Sequence, residues 1–356
     1  MSSATVPTTS SPITSSPITS SPMTRLPTIS LPTLADIEDA AVRIRGHALR
    51  TPVLSGRGGL DAMIGATLFF KCENLQRVGA FKFRGAMNAV QQLAPAQLAR
   101  GVATHSSGNH AAALALAARI RQIPAYVVMP EGSARPKIDA VRAYGAQVTF
   151  CANSQQAREA ALEEVVTRTG ASFVHPYDDW RVVCGAGTAA LELFAEVGQL
   201  DMLLTPVGGG GLASGSALVS KLRATPGSDG VPGMPPTRFI AVEPENADDA
   251  ARSMATGVLQ PPLAPNTIAD GLRTALSMRT FSVLRAHADA IVTVSEASII
   301  EAMRLLWSRL NIVVEASAAV PFAALLERKV QVAGERVGII LSGGNVDLDA
   351  LPWRTQ

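Results

Sequence analysis

The chain has 356 residues, 47% of them hydrophobic and 17% charged, with a formal net charge of +2. That supports one large or two medium cores. No basic block of the kind that tracks a phosphate backbone is present, and the longest apolar run, residues 111–118, is far too short to cross a bilayer, so neither nucleic acid nor a membrane is an expected partner. Cys72, Cys151 and Cys184 stand far apart, without a CxxC or Cys/His cluster, which argues against a zinc site or a disulfide scaffold and for buried free thiols in a reducing compartment.

Ser, Thr and Pro supply 23 of the first 33 residues. Such a segment buries too little apolar surface to offset its ordering entropy, and disorder is expected over 1–33. It lacks the hydrophobic stretch of a secretory signal. With Arg25 as its single charge, it leaves a cytoplasmic protein and an organellar transit peptide as the alternatives.

From Leu34 the pattern alternates between helical periodicity and short apolar runs. It predicts helix over 34–45, strand over 66–72, and helix from the Lys82 loop toward Leu93. Strand over 101–104, helix from Gly108 through Arg121, strand over 124–129 and helix over 134–144 follow. Next come strand over 147–151, helix over 155–169, strand over 171–175 and helix over 188–197. The later part reads as strands over 202–207, 239–242, 291–294 and 337–341, with helices from Leu212, up to Leu310, and over 315–328. Residues 224–236 and 261–265 read as surface loops. Alternation on this scale predicts two open, mostly parallel α/β domains with a cleft between them.

Four loops carry chemistry. In Val78-Gly-Ala-Phe-Lys-Phe-Arg-Gly-Ala86, Lys82 lies between two phenylalanines at a helix start. Apolar neighbours desolvate an ammonium and lower its pKa, which suits a lysine that attacks an aldehyde; the alternative is a lysine snorkelling from an amphipathic helix. Gly208, Gly209, Gly210 and Gly211 join an apolar strand to a helix, where backbone and helix N-terminus can cradle a phosphate. The spacing is not that of a dinucleotide fingerprint. His105-Ser-Ser-Gly-Asn-His110 and Leu341-Ser-Gly-Gly-Asn345 also follow strands; the first has the donors of a carboxylate or oxyanion site, although each Ser or Asn alone could be a helix cap.

GAFKFRGA, HSSGNHAAALALA, GGGGLASG and LSGGN, in that order, resemble the fold-type-II pyridoxal-phosphate enzymes over residues 34–350, nearest the serine/threonine dehydratase, serine racemase and 3-hydroxyaspartate dehydratase branch. The resemblance implies a large domain from 34–100 and 179–356, a small domain from 101–178, the cofactor in the cleft, and a homodimer. It implies that Lys82 holds the cofactor as a Schiff base and takes the α-proton. Phe81 would flank the pyridine ring, Asn109 bond its phenolic oxygen, Gly208–Gly211 hold the phosphate, and Ser342 contact the ring nitrogen. A serine there leaves the ring a weaker electron sink than an aspartate would, which favours direct β-elimination. Ser106, Asn109 and His110 would bind the substrate carboxylate. Ser107 would be the acid or base on the face opposite the lysine, and Arg158 would either meet a second carboxylate or lie exposed. Glu243, the Ala247 carbonyl and Asp249 resemble a loop for magnesium, calcium or manganese; a solvated acidic loop is the alternative. The implied activity is dehydration of serine, threonine or 3-hydroxyaspartate to a 2-oxo acid and ammonia, with racemisation as the second reading. Tyr177, where the mammalian racemase has asparagine, counts against racemisation.

Overall fold

The two sheets are built mainly of parallel strands, joined by helices that return the chain across a face. The computed structural model describes Met1 and residues 30–106, 108–223 and 236–353. The predicted disorder over 1–33 therefore falls mostly, and the predicted loop over 224–236 almost wholly, outside the described residues. The strands are β1 (Val53–Ser55), β2 (Thr67–Cys72), β3 (Val102–His105), β4 (Ala125–Pro130) and β5 (Gln147–Cys151). They continue with β6 (Ser172–Phe173), β7 (Met202–Pro206), β8 (Arg238–Pro244), β9 (Ala290–Val294) and β10 (Arg336–Leu341). The six-stranded sheet runs β1-β2-β10-β7-β8-β9 and the four-stranded sheet β5-β4-β3-β6. Only β1 is antiparallel to its neighbour among the described pairings. β10 lies inside the larger sheet, with Val337 opposite both Leu68 of β2 and Met202 of β7.

Helices cover both faces, which is why the central strands read as unbroken apolar runs. In the first half these are α1 (Leu34–Ile44), α2 (Leu60–Ile64), α3 (Lys82–Gln91), α4 (Pro95–Arg100), α5 (Asn109–Ile120), α6 (Arg135–Ala143) and α7 (Gln155–Thr169). In the second they are α8 (Trp180–Val197), α9 (Gly211–Leu222), α10 (Asp249–Thr256), α11 (Met278–His287), α12 (Glu296–Leu310) and α13 (Ala316–Leu326). One face of the larger sheet packs residues such as Phe70 and Ile339 against Leu306 and Phe322 of α12 and α13. The other packs Leu203 and Ile340 against α1, α8, α9 and α11. The smaller sheet packs Val127 and Met129 on α3 and α5, and carries α7 on its opposite side. All three cysteines are buried free thiols. No helix among the described residues is long and apolar enough to cross a membrane.

Most predicted elements stand within a few residues of their expected ends. The chief differences are α8, which begins at Trp180 rather than Thr188, and β1, α2, α4, α10 and α11, which the sequence does not announce. Gly185 and Gly187 read as helix breakers, but they serve close packing: a Cβ on Gly185 would lie 2.6 Å from the Arg84 carbonyl, and one on Gly215 of α9 2.5 Å from that of Val183. At the other end of the described core, Leu31 packs against the larger sheet's helices and Thr33 caps α1 with a capping box to Asp36.

The start of α3 is fixed by buried charge. Arg84 is fully buried and donates from Nε to Glu73 Oε2 at 2.7 Å and from Nη1 and Nη2 to the Glu192 carboxylate at 2.8 and 2.7 Å. Lys71 Nζ also reaches Glu192, at 2.7 Å, and Thr51 bonds Glu73 at 2.5 Å. Burial opposes the Arg84 charge, but Glu73 and Glu192 outweigh it and hold its proton affinity above the ordinary value. Arg84→Met should lower stability by about 3–5 kcal/mol, because Glu73 is then buried without its partner. Chemical unfolding checks this; a loss below about 1 kcal/mol would show the network to be dispensable.

Candidate active site

The loops after β2, β3, β7 and β10 all leave carboxyl ends of strands, the edge at which open α/β sheets bind ligands. The lysine loop is stitched to the loop after β10. Phe81 N donates to Ser342 O at 3.0 Å, Gly344 N to Gly79 O at 2.9 Å, and Ala80 forms an antiparallel bridge with Gly343. Asn345 Nδ2 donates to the carbonyl of Val78 at 2.7 Å. Val78 has φ +56°, costly for a β-branched residue, and Gly79 has φ +69° with space for no Cβ beside Asn345.

Lys82 therefore emerges at the first position of α3. Its Nζ donates to Pro176 O at 3.0 Å and lies 5.0 Å from the centre of the Phe81 ring. Burial lowers its pKa to about 8, against an opposing pull from the Glu315 carboxylate. Lys82 is half-buried, and its Nζ bonds a backbone carbonyl. About half of such a lysine is the neutral nucleophile at pH 8, whereas an ordinary one is under about 1% neutral.

The segment carrying Pro176 also reaches the glycine turn. Gly208 and Gly210 have φ +50° and +85°, and Gly210 caps α9. The Tyr177 ring presses on Gly209, where a Cβ would stand 2.3 Å from it. A turn without side chains at a helix N-terminus is a cradle that fits a phosphate, and the lowered Lys82 fits an aldehyde; this structure's residues suit pyridoxal phosphate. His175 orders the same segment, its Nδ1 accepting from Asp178 N at 2.8 Å and Tyr177 N at 3.3 Å, and burial pushes its pKa down to about 4.

Asn109 begins α5 and joins this group: its Oδ1 accepts from Asn345 Nδ2 at 2.9 Å and its Nδ2 donates to Glu315. Ser106 Oγ accepts from Gly108 N at 3.3 Å, and Ser342 is buried beneath the Phe81 loop. His110 is buried, its Nε2 against Val174 O at 3.2 Å, and burial drives its pKa well below the usual histidine value. A ring so placed is neutral. Ser107 lies outside the described residues.

Arg158, on the first turn of α7, bonds its own helix through Nε to Ser154 O at 3.4 Å. No carboxylate among the described residues pairs with it, while its charge acts on His105 and Tyr177. It is half-buried rather than free on the surface. His105 and His175 also line a groove of about 370 Å³ with Phe173 and Leu162, rimmed by Glu159 and Glu163.

The acidic loop is less open than a solvated turn. Glu243 and Asp249 are buried; Glu243 accepts from Ala251 N at 2.7 Å and Ala250 N at 3.4 Å at the start of α10, and Asp249 from Leu276 N at 3.2 Å. Burial lifts Glu243 to about 8 and Asp249 to about 6. Ala247 is buried between them in sequence. No group of three metal-ligating side chains occurs among the described residues, so the two carboxylates would need backbone or water oxygens to complete a cation shell.

Glu315 was not foreseen. It stands as the first residue of the helix predicted over 315–328, and nothing local marks it as facing Asn109, 206 positions away.

The lowered Lys82 gives a direct check. In cofactor-free protein, an amine-selective reagent should label Lys82 ahead of other lysines, with a rate that rises with pH and is half-maximal near 8; a midpoint near 10 would contradict the buried environment.

A search for related chains agrees with this chemistry. The family model described as pyridoxal-phosphate dependent enzyme matches residues 44–343. The β-hydroxyaspartate dehydratase of Paracoccus denitrificans is 48% identical over 318 residues, covering 89% of this chain and 98% of its own. The serine racemase of Arabidopsis thaliana is 45% identical, covering 89% and 94%. The crystal structure of the Dictyostelium discoideum serine racemase superposes with a TM-score of 0.82 at 42% identity, covering 89% of this chain and 99% of that one. A lysine of lowered proton affinity and a glycine turn at a helix N-terminus suit such an enzyme, and the chain belongs to the pyridoxal-phosphate-dependent enzyme family.

Proposed function

We propose that the protein is an ammonia-lyase that dehydrates a β-hydroxy-α-amino acid, with 3-hydroxyaspartate as its substrate. The observation that carries the reading is the Lys82 amine, lowered to about 8 and held 3.0 Å from the carbonyl of Pro176, whose neighbour Tyr177 presses on the glycine turn. Pyridoxal phosphate, when bound, supplies the electron sink that acidifies the α C–H and lets a β-substituent leave. Gly208–Gly211 would hold its phosphate, Phe81 and Ser342 its ring, and Asn109 its phenolic oxygen. Lys82 Nζ takes the α-proton, and the β-hydroxyl departs with a proton as water. The enamine released from the site then takes up water and yields ammonia and the 2-oxo acid.

Arg158 supports the dicarboxylic substrate. A half-buried guanidinium without a carboxylate partner among the described residues, whose charge is felt at His105 and Tyr177, is a receptor for a second carboxylate at the β-carbon. The hydroxyaspartate dehydratase among the relatives agrees with this. Racemisation is the second reading, favoured by the serine racemases among the same relatives; its opposite-face acid would be Ser107.

A panel of L-serine, L-threonine and the threo and erythro isomers of 3-hydroxyaspartate, assayed for ammonia and 2-oxo acid, tests the reading. Lys82→Ala should abolish turnover with every substrate. Arg158→Gln should lower kcat/KM for 3-hydroxyaspartate by about tenfold or more while changing serine by less than about threefold. Equal losses on both would remove Arg158 from substrate selection.

We also propose that Glu243, Asp249 and the Ala247 carbonyl hold a divalent cation of the oxygen-loving class. Two buried carboxylates that repel one another at the base of α10 support it. Magnesium or calcium should raise the melting temperature of the chelator-treated protein by several degrees, through binding to the folded state. Glu243→Gln should remove most of that rise. No response to either ion in the wild type would refute the site.

A further inference from the structure

One buried acid touches two of the four loops and has no place in the chemistry above. Glu315 precedes α13 and is 6% exposed. Its Oε1 and Oε2 accept from Asn109 Nδ2 at 3.0 and 3.1 Å, and Oε2 also accepts from Asn345 N at 3.3 Å. Its own N donates to Gly343 O at 3.0 Å. Gly343 has to be glycine for this, since a Cβ there would stand 2.6 Å from Oε1.

The carboxamide of Asn109 is chemically two-ended, and its ends look alike in shape. Here both are specified: the oxygen receives the Asn345 amide at 2.9 Å, and the nitrogen meets a carboxylate. Reversed, the oxygen would face Glu315 and the nitrogen the Asn345 donor, two repulsive contacts in place of two bonds. The two carboxylate oxygens subtend roughly 40° at Nδ2, while its two N–H bonds diverge by about 120°, so one N–H serves both oxygens. The second N–H is left to donate elsewhere.

We propose that Glu315 is a positioning residue, whose carboxylate fixes which end of the Asn109 carboxamide faces the cofactor and leaves one amide N–H to donate to it. The inference rests on pyridoxal phosphate being held at Lys82. The charge of Glu315 also acts on Lys82, opposing the effect of burial there. Asp270 and Lys137, paired with each other at 2.6 Å, act on Glu315 with opposite signs. Burial lifts the Glu315 carboxyl to about 7, so it is poised between anion and acid, and its anionic form is the one that accepts from Asn109 without ambiguity.

Glu315→Gln tests this, because a glutamine can offer Asn109 either a donor or an acceptor. In cofactor-free protein the Lys82 labelling midpoint should fall by about one pH unit, as the anionic neighbour is gone. In loaded protein the dissociation constant for pyridoxal phosphate should rise about tenfold, and the visible absorption band and its pH profile should shift, as expected on losing an oriented donor. Glu315→Asp keeps the charge and should return the labelling midpoint toward the wild-type value. If Glu315→Gln lowers only the melting temperature, with labelling, cofactor affinity and spectrum unchanged, Glu315 merely caps α13 and the inference is wrong. Should that variant not fold, Asn345→Ala releases the other end of the carboxamide: a weaker cofactor affinity and a shifted band are expected, and neither changing overturns the proposal. A wild-type protein that takes up no pyridoxal phosphate at all removes the underlying reading, and the inference with it.

Discussion

Everything at the site depends on where α3 begins, and that is decided by four charges, three of them buried. Lys71 and Arg84 face Glu73 and Glu192, two of each sign, and Arg84 sits between the carboxylates with bonds to both. Losing Arg84 would leave Glu73 buried without an ionic partner, and losing Glu192 would do the same to Lys71, so β2, the turn after it, α3 and α8 are held in one register. Lys82 lies two residues before Arg84 on the same helix turn. The two cations meet opposite treatment: Arg84 is given carboxylates and stays charged, while Lys82 is given a backbone carbonyl and aromatic flanks and loses part of its hold on a proton. A guanidinium suits the first role because it resists deprotonation, and an amine suits the second because it does not.

The segment 175–178 joins parts of the site that the lysine and glycine loops do not join directly. The Pro176 carbonyl receives Lys82, the Tyr177 ring covers Gly209, and the His175 ring accepts the backbone N–H groups that shape the turn. For this the histidine has to be neutral at Nδ1, and burial keeps it so. Tyr177 stood out in the sequence only as a departure from the racemase pattern. In the fold it presses on the glycine turn, whose lack of side chains makes room for the ring.

How much of this was legible follows from what is local. Apolar runs such as Met202–Pro206 and Arg336–Leu341 announce strands because their burial on both faces is written into consecutive residues. The Lys82 loop and the glycine turn announce chemistry for the same reason. The first turns of α8 were missed because Gly185 and Gly187 are breakers by propensity and spacers by packing, and only the neighbouring helices decide between them. The acidic run 243–249 reads from the sequence as a loop, but α10 beyond it is not legible there, because the partner that organises its first turn, Glu243, lies on the preceding strand. Glu315 and the Glu192 arm of the charge network were invisible for a stronger reason. Their partners lie about a hundred or more positions away, and a lone glutamate carries no trace of them.

The interior place of β10 has a consequence for how the protein reaches this state. β2 and β7, separated in sequence by the whole of the smaller sheet, are joined in the larger sheet only through β10, which lies between them. Until β10 is in place, a growing chain carries two unpaired strand edges of strongly apolar sequence, the condition in which chains pair with the wrong neighbour. The loop that fastens Phe81 and Val78 follows directly on that same strand. Closing the sheet and fastening the lysine loop therefore depend on the same strand, so the lysine loop is not held in place unless β10 is seated in the sheet.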